Sequence, residues 1–170
     1  SLFGKFQAKN FLLAYEALKY IGIEDEIIKK SCGKTIWKGR FQIVSEEPFI
    51  ILDGAHNTDS AGVLSENLRE IFPDREIIFI ISVLRDKDSA SILSELRKAS
   101  DYAVFTGIDN ERAQGSEDMY NTGKDFSKYS YAESGIKSAL GKAKSLNKKA
   151  VVICGSFFLL KEYFKESDLL

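Results

Sequence analysis

Apolar residues recur along this chain with two different periods, and the periods alternate. Phe11, Ala14, Tyr15, Leu18 and Ile21 fall three or four positions apart, which predicts a first helix with one apolar face. Gly22 interrupts it, and a shorter polar helix is predicted from Glu24 to Lys30, ending near Gly33. Phe41 to Val44 then reads as a short strand, and Pro48 to Leu52 as a second, bounded by Asp53-Gly54. Ala61, Leu64, Leu68, Ile71 and Phe72 mark an amphipathic helix stopped by Pro73. The run Ile77 to Ile81 is apolar on both strand faces, as expected of a strand covered by helices on both sides. Ile92, Leu93, Leu96 and Ala99 form the next helical stripe, followed by a strand from Tyr102 to Phe105. The stretch from Gly107 to Ser130 is less regular and reads as a polar, exposed excursion with room for one short strand. Ile136, Ala139, Leu140, Ala143 and Leu146 make another stripe, and a strand from Ala150 to Cys154 leads into a last helix from Ser156.

Strands alternating with helices predict an α/β fold, a Rossmann-like, mostly parallel sheet with helices on both faces. Ligands of such sheets collect outside the carboxyl ends of the strands, where helix N-termini point backbone N–H groups at anions. Three loops occupy those ends: Asp53 to Asn57, Val83 to Asp88, and Gly155-Ser156. No internal repeat or low-complexity linker divides the chain.

Composition narrows the partners. At 170 residues and 44% apolar content the chain suits one globular domain and excludes a disordered one. Lys+Arg 24 against Asp+Glu 25 gives a net charge of -1, which argues against nucleic acid and against an anionic membrane surface. No apolar run approaches the length of a membrane helix. Two cysteines, Cys32 and Cys154, cannot build a disulfide framework, and a single His excludes a His-rich metal site; no metal ligands are expected. Buried free cysteines and the lack of a signal peptide fit the cytoplasm. The chain opens with Ser1, and its one Met is Met119, so it is expected to be a domain cut from something longer.

Each loop holds chemistry that has a plainer alternative. In Asp53-Gly54-Ala55-His56-Asn57, Asp53 can accept hydrogen bonds from hydroxyls while His56 and Asn57 face the crevice; equally, Asn57 or Thr58 could simply cap the helix. Arg40, in Trp37-Lys38-Gly39-Arg40, offers a bidentate fork to phosphate or carboxylate, or is a solvated side chain. Asp88 or Ser89 can cap the helix after Asp86-Lys87-Asp88. Gly155-Ser156 offers a hydroxyl beside free N–H groups, or is an ordinary helix cap. No GxGxxG, GxxxxGK[ST] or G-x-S-x-G motif occurs, so the chain carries part of a site rather than the full apparatus for phosphoryl or acyl transfer.

Taken in order, these pieces resemble the C-terminal domain of the folylpolyglutamate synthase/dihydrofolate synthases of the Mur ligase family. The resemblance rests on Phe6-Gln7-Ala8-Lys9-Asn10, Trp37-Lys38-Gly39-Arg40-Phe41, Ile51-Leu52-Asp53-Gly54-Ala55-His56-Asn57, Arg85-Asp86-Lys87-Asp88, Asn110-Glu111-Arg112-Ala113 and Cys154-Gly155-Ser156-Phe157-Phe158-Leu159. The Asp-Gly-Ala-His-Asn run following a Gly-Arg pair is the specific signal. Lys38 stands where family members usually have Pro, and no Gly stands at Ser82 or Val83, but neither departure removes a side chain that does chemistry.

The resemblance implies a ligase that joins L-glutamate to the carboxylate of a folate or dihydropteroate, with ATP converting that carboxylate to an acyl phosphate. It implies ATP contacts from Asn10 (adenine), Asp53 (ribose) and Arg40 (phosphates), glutamate contacts from His56 and Ser156, and direct catalytic parts for Arg40 and His56. Magnesium, the phosphate loop and the pterin pocket would belong mainly to an N-terminal ATPase domain of the same polypeptide. Residues 1–34 then read as a helical segment joining that domain to the Mur ligase C-terminal α/β domain at 35–170, the two forming one unit. Alone, the chain is expected to fold without turning over ATP. The alternative is a non-catalytic α/β small-ligand or regulatory module, which predicts an acidic cluster at the strand ends; none is convincing here. A scaffold domain would need an exposed apolar face, and the predicted stripes look no wider than a core requires.

Overall fold

The computed structural model describes residues 5–35, 37–125 and 127–167; Ser1 to Gly4 of the predicted N-terminal segment, and 168–170 of the predicted α/β domain, lie outside the described residues. Chain order is α1 (Lys5–Tyr20), α2 (Asp25–Cys32), β1 (Gln42–Glu46), β2 (Phe49–Leu52), α3 (Thr58–Ile71), β3 (Ile77–Ile81), α4 (Ser89–Arg97), β4 (Tyr102–Thr106), α5 (Ser116–Gly123), β5 (Tyr129–Glu133), α6 (Ile136–Ser145), β6 (Ala150–Cys154) and α7 (Phe157–Ser167). The strands form one sheet in the order β1-β2-β6-β3-β4-β5, with β1 antiparallel on β2 and every other pair parallel.

The two central strands, β3 and β6, are buried along their whole length, as their unbroken apolar sequences require. Alternate residues supply two cores. On one face Ile77, Phe79, Ile81, Val152 and Cys154 meet Leu64 and Leu68 of α3, Ile92 and Leu96 of α4, and Met119 of α5. On the other, Ile78, Ile80, Val151 and Ile153 meet Ile136 and Ala139 of α6 with Leu159 and Leu160 of α7. The carboxyl ends of β2, β6 and β3 are brought level by registers such as Leu52 with Ile153 and Ile81 with Cys154. That edge, at the reversal of strand order, is where the three loops singled out in the sequence converge. Among the described residues no helix is long and apolar enough to cross a membrane.

Four expectations need correction, the simplest being Cys32, expected to be buried like Cys154 but in fact exposed. The excursion from Gly107 to Ser130 contains a helix, α5, as well as the strand β5. Met119 is its one fully buried large side chain, too few apolar positions to register as a stripe; Gly123 completes the contact by lying directly beneath the Phe105 ring. Phe41 does not start a strand: it has a left-handed backbone (φ 44°), and β1 begins at Gln42. Finally, the apolar face of α1 is not core. Of its predicted positions, Phe11 and Tyr15 are only half-buried, Ala14 and Leu18 are exposed, and Ile21, just beyond the helix, is 68% exposed; Leu12 and Leu13, off that face, are exposed too. The period of a helix says that one face is apolar, not what covers it. Ile71 of α3 is likewise exposed at the end of its stripe.

Candidate functional site

Arg40 is set between two residues with left-handed backbones, Gly39 (φ 72°) and Phe41 (φ 44°). For Phe41 that conformation costs roughly 1–3 kcal/mol and needs support from its surroundings. Asp53 supplies it. Its Oδ2 accepts the Phe41 N–H at 2.9 Å and its Oδ1 accepts the Ala55 N–H at 2.8 Å. Gly54 N donates to Gly39 O at 2.7 Å, and Gln42 Oε1 accepts the Gly39 N–H at 2.9 Å. The Gly-Arg turn is thereby bolted to the end of β2.

Asp53 is 6% exposed. Desolvation raises its pKa, outweighing the two amide hydrogen bonds and the nearby Arg40 and His56, which pull it down. A carboxyl raised in the fold stabilises the folded state below the ordinary Asp value, and that contribution is lost as pH rises through the raised value. Each carboxylate oxygen holds one backbone partner and keeps a second lone pair for a ligand hydroxyl.

A cavity of about 300 Å³ opens against this turn, lined by Asn10, Trp37, Arg40 and Asp53 and floored by Val63 and Leu64 of α3. Asn10, on the exposed side of α1, hydrogen-bonds Gln7 at 3.3 Å. The structure therefore brings three of the five sequence-predicted residues to one cavity; His56 and Ser156 do not line it. His56 Nδ1 lies 2.7 Å from Gly54 O, an arrangement that assigns the ring proton to Nδ1 and leaves Nε2 for a ligand. Ser156 is 2% exposed, and its Oγ accepts the Phe158 N–H at 3.1 Å. It caps the start of α7 while keeping its hydroxyl proton to donate. Asn57 is a helix cap: its Oδ1 accepts the Ser60 N–H at 2.8 Å within a capping box. Asp88 caps α4 in the same way, through Ser91 N at 3.0 Å.

The β3–α4 and β4–α5 loops are clasped together by Arg112 Nη2 donating to Asp86 Oδ1 at 2.7 Å, with Arg85 N bonded to Arg112 O. Arg112, with Lys87 adding to it, holds Asp86 down at about 2. A depressed carboxyl stabilises above its unfolded value, and the contribution disappears as pH falls through about 2. Followed by the NMR titration of its carboxyl carbon, Asp86 should have its midpoint there, and Arg112→Ala should move it up toward about 3.9. Among the described residues no group of three His, Cys, Asp or Glu side chains could hold a metal ion.

Sequence reasoning missed Phe157. The residue follows Ser156 in the motif, yet only the folded chain places its ring against Gly54, Arg40 and His56.

The family model for the Mur ligase glutamate ligase domain matches residues 39–157. The chain belongs to the Mur ligase family. That match runs from the Gly-Arg turn through all three carboxyl-end loops to the first residue of α7. Among relatives of this Mur ligase domain, the dihydrofolate synthase/folylpolyglutamate synthase of Escherichia coli is 31% identical over 94% of the chain and 38% of its own length. The Bacillus subtilis enzyme of the same name is 28% identical over 97% of the chain and 40% of its own. Solved structures agree: Escherichia coli FolC in complex with ADP, without folate substrate, superposes with a TM-score of 0.85 at 27% identity, over 94% of the chain and 39% of that protein. The Yersinia pestis bifunctional folylpolyglutamate synthase/dihydrofolate synthase complexed with AMPPNP and Mn ion gives 0.79 at 25% identity, over 92% of the chain and 38% of that protein. The Mur ligase domain described here thus spans about 40% of the length of such relatives.

Proposed function

We propose that this chain is the glutamate-ligase domain of a cytoplasmic, ATP-dependent folylpolyglutamate/dihydrofolate synthase, supplying nucleotide and L-glutamate contacts for amide bond formation. The observation that carries the reading is the single cavity shared by Asn10, Arg40 and Asp53. At about 300 Å³ it is small for a ligand pocket, as suits one wall of a cleft completed by another domain. Residues 1–34 join that N-terminal ATPase domain to the ligase domain at 35–170.

The donors present fit a nucleotide: a planar amide on Asn10, lone pairs on Asp53 and a guanidinium at the carboxyl edge of the sheet. ATP, when bound, supplies the phosphoryl group that activates the folate or dihydropteroate carboxylate. Magnesium falls to the ATPase domain. Arg40 neutralises charge building on phosphate oxygens. Asp53 accepts ribose hydroxyls while bracing the turn that presents Arg40. His56, through Nε2 when the ring carries both protons, and the Ser156 hydroxyl donate to a glutamate carboxylate near the start of α7.

Steady-state kinetics on the full-length enzyme, varying each substrate separately, tests the division. His56→Ala and Ser156→Ala should raise the glutamate KM roughly tenfold with the ATP KM little changed. Asp53→Ala should raise the ATP KM instead and also lower the unfolding midpoint, because it removes the carboxylate that accepts the Phe41 and Ala55 N–H groups. An unchanged glutamate KM in folded His56 and Ser156 variants returns both residues to capping and packing.

A further inference from the structure

We propose that Phe157 is a positioning residue that holds Arg40 and His56 in one arrangement, so that the nucleotide and glutamate arms of the site act as a unit. The proposal rests on the function proposed above. Phe157 is the first residue of α7 and is 43% exposed. It lies on the backbone of Gly54: a Cβ at that position would come within 2.2 Å of the ring's Cζ, so residue 54 must be glycine for the ring to sit where it does. Around it, the Arg40 guanidinium carbon stands 5.3 Å from the ring centroid, and the His56 ring lies at 6.0 Å, tilted by 54°. Gly39 is close enough that a Cβ there would meet the Phe157 Cε1 at 3.6 Å.

One side chain thus touches residues from the Gly-Arg turn and from the loop after β2, and it is carried by the helix after β6. Backbone bonds fix the frame beneath it, through Gly54 N to Gly39 O and Gly155 N to Ala55 O. The Phe157 ring bears on both the Arg40 and the His56 side chains, with the Trp37 ring 6.0 Å from the Arg40 guanidinium carbon. A guanidinium over an aromatic face is held by the ring quadrupole, which an aliphatic side chain of similar bulk lacks. His56 is gripped between that ring and its own Nδ1 bond to Gly54 O.

This makes Phe157→Leu and Phe157→Tyr the informative pair, since leucine keeps apolar bulk and tyrosine keeps the ring. His56 is the single histidine of the chain, so its imidazole protons give one assignable pair of NMR signals in the 170-residue protein. Loss of the neighbouring ring current in Phe157→Leu should move those signals, and Phe157→Tyr should leave them close to the parent. In the full-length enzyme, Phe157→Leu should lower kcat and raise the glutamate KM, each about tenfold, as expected when reacting groups are misplaced rather than removed. Phe157→Tyr should recover both to within about threefold on the same scale. Unmoved His56 signals in Phe157→Leu, or both kinetic constants at parent values, overturns the proposal. A parent enzyme that forms no ADP in response to glutamate overturns the functional reading instead, and the ring contact is then judged by the His56 signals alone.

Discussion

Arg40→Ala in the full-length enzyme is expected to lower kcat by about 10² to 10³ while weakening folate binding far less. Arg40 stands at a turn whose two flanking residues are held in left-handed conformations. Its guanidinium is held between the Trp37 and Phe157 rings at 6.0 and 5.3 Å. A group fixed in advance loses little entropy when charge develops on phosphate, which is why its removal should appear in kcat. Arg40→Lys should recover only part of the rate, because a lysine ammonium cannot present the planar fork. Rapid-quench measurement of ADP formation, with glutamate and folate saturating, separates this effect from substrate binding. A kcat within about threefold of the parent for Arg40→Ala would remove the arginine from the chemistry.

Gly155→Ala is expected to destabilise the fold by on the order of 3 kcal/mol. Gly155 has φ 101°, a conformation that L side chains rarely adopt, and an added Cβ would stand 2.5 Å from the backbone oxygen of Ser82. Neither strand can yield easily, because Ser82 N is bonded to Cys154 O and Gly155 N to Ala55 O. Gly141→Ala is the matched control. In α6 an added Cβ at 141 meets nothing within 4 Å, so the same change should stabilise the protein by about 0.5–1 kcal/mol. Urea unfolding of the two variants should give shifts of opposite sign.

The parts of the fold readable from sequence were those where a single pattern determines the outcome. Ile77 to Ile81 and Ala150 to Cys154 are apolar on both sides and lie at the centre of the sheet. Asp53, His56 and Ser156 fall at strand ends because a parallel sheet puts every such loop on one edge. What the sequence concealed depends on contacts distant along the chain. Met119 alone cannot announce α5, since its burial is decided by Phe105 and the α4 core above it. The Phe41 partner of Asp53 is hidden because that amide turns toward it only through a left-handed backbone, while the Ala55 amide, two residues on, makes an ordinary Asx-type contact. Phe157 looked like any first-turn residue, since nothing in a linear pattern shows that a glycine 103 positions earlier has been left bare for its ring.

The exposed apolar side chains of the N-terminal helices have a consequence for how the molecule behaves in a tube. Leu12, Leu13 and Leu18 of α1, Ile21 just beyond it, and Ile27 of α2 all give the surface apolar area. A net charge of -1 provides almost no long-range repulsion between copies. Raising the protein concentration should therefore drive reversible self-association in sedimentation-velocity runs. Replacing Leu13 and Ile21 by glutamate should restore a concentration-independent sedimentation coefficient without changing the unfolding midpoint. The same two side chains should make the folded 170-residue chain bind a hydrophobic dye, and the double glutamate variant should lose that fluorescence with its fold intact.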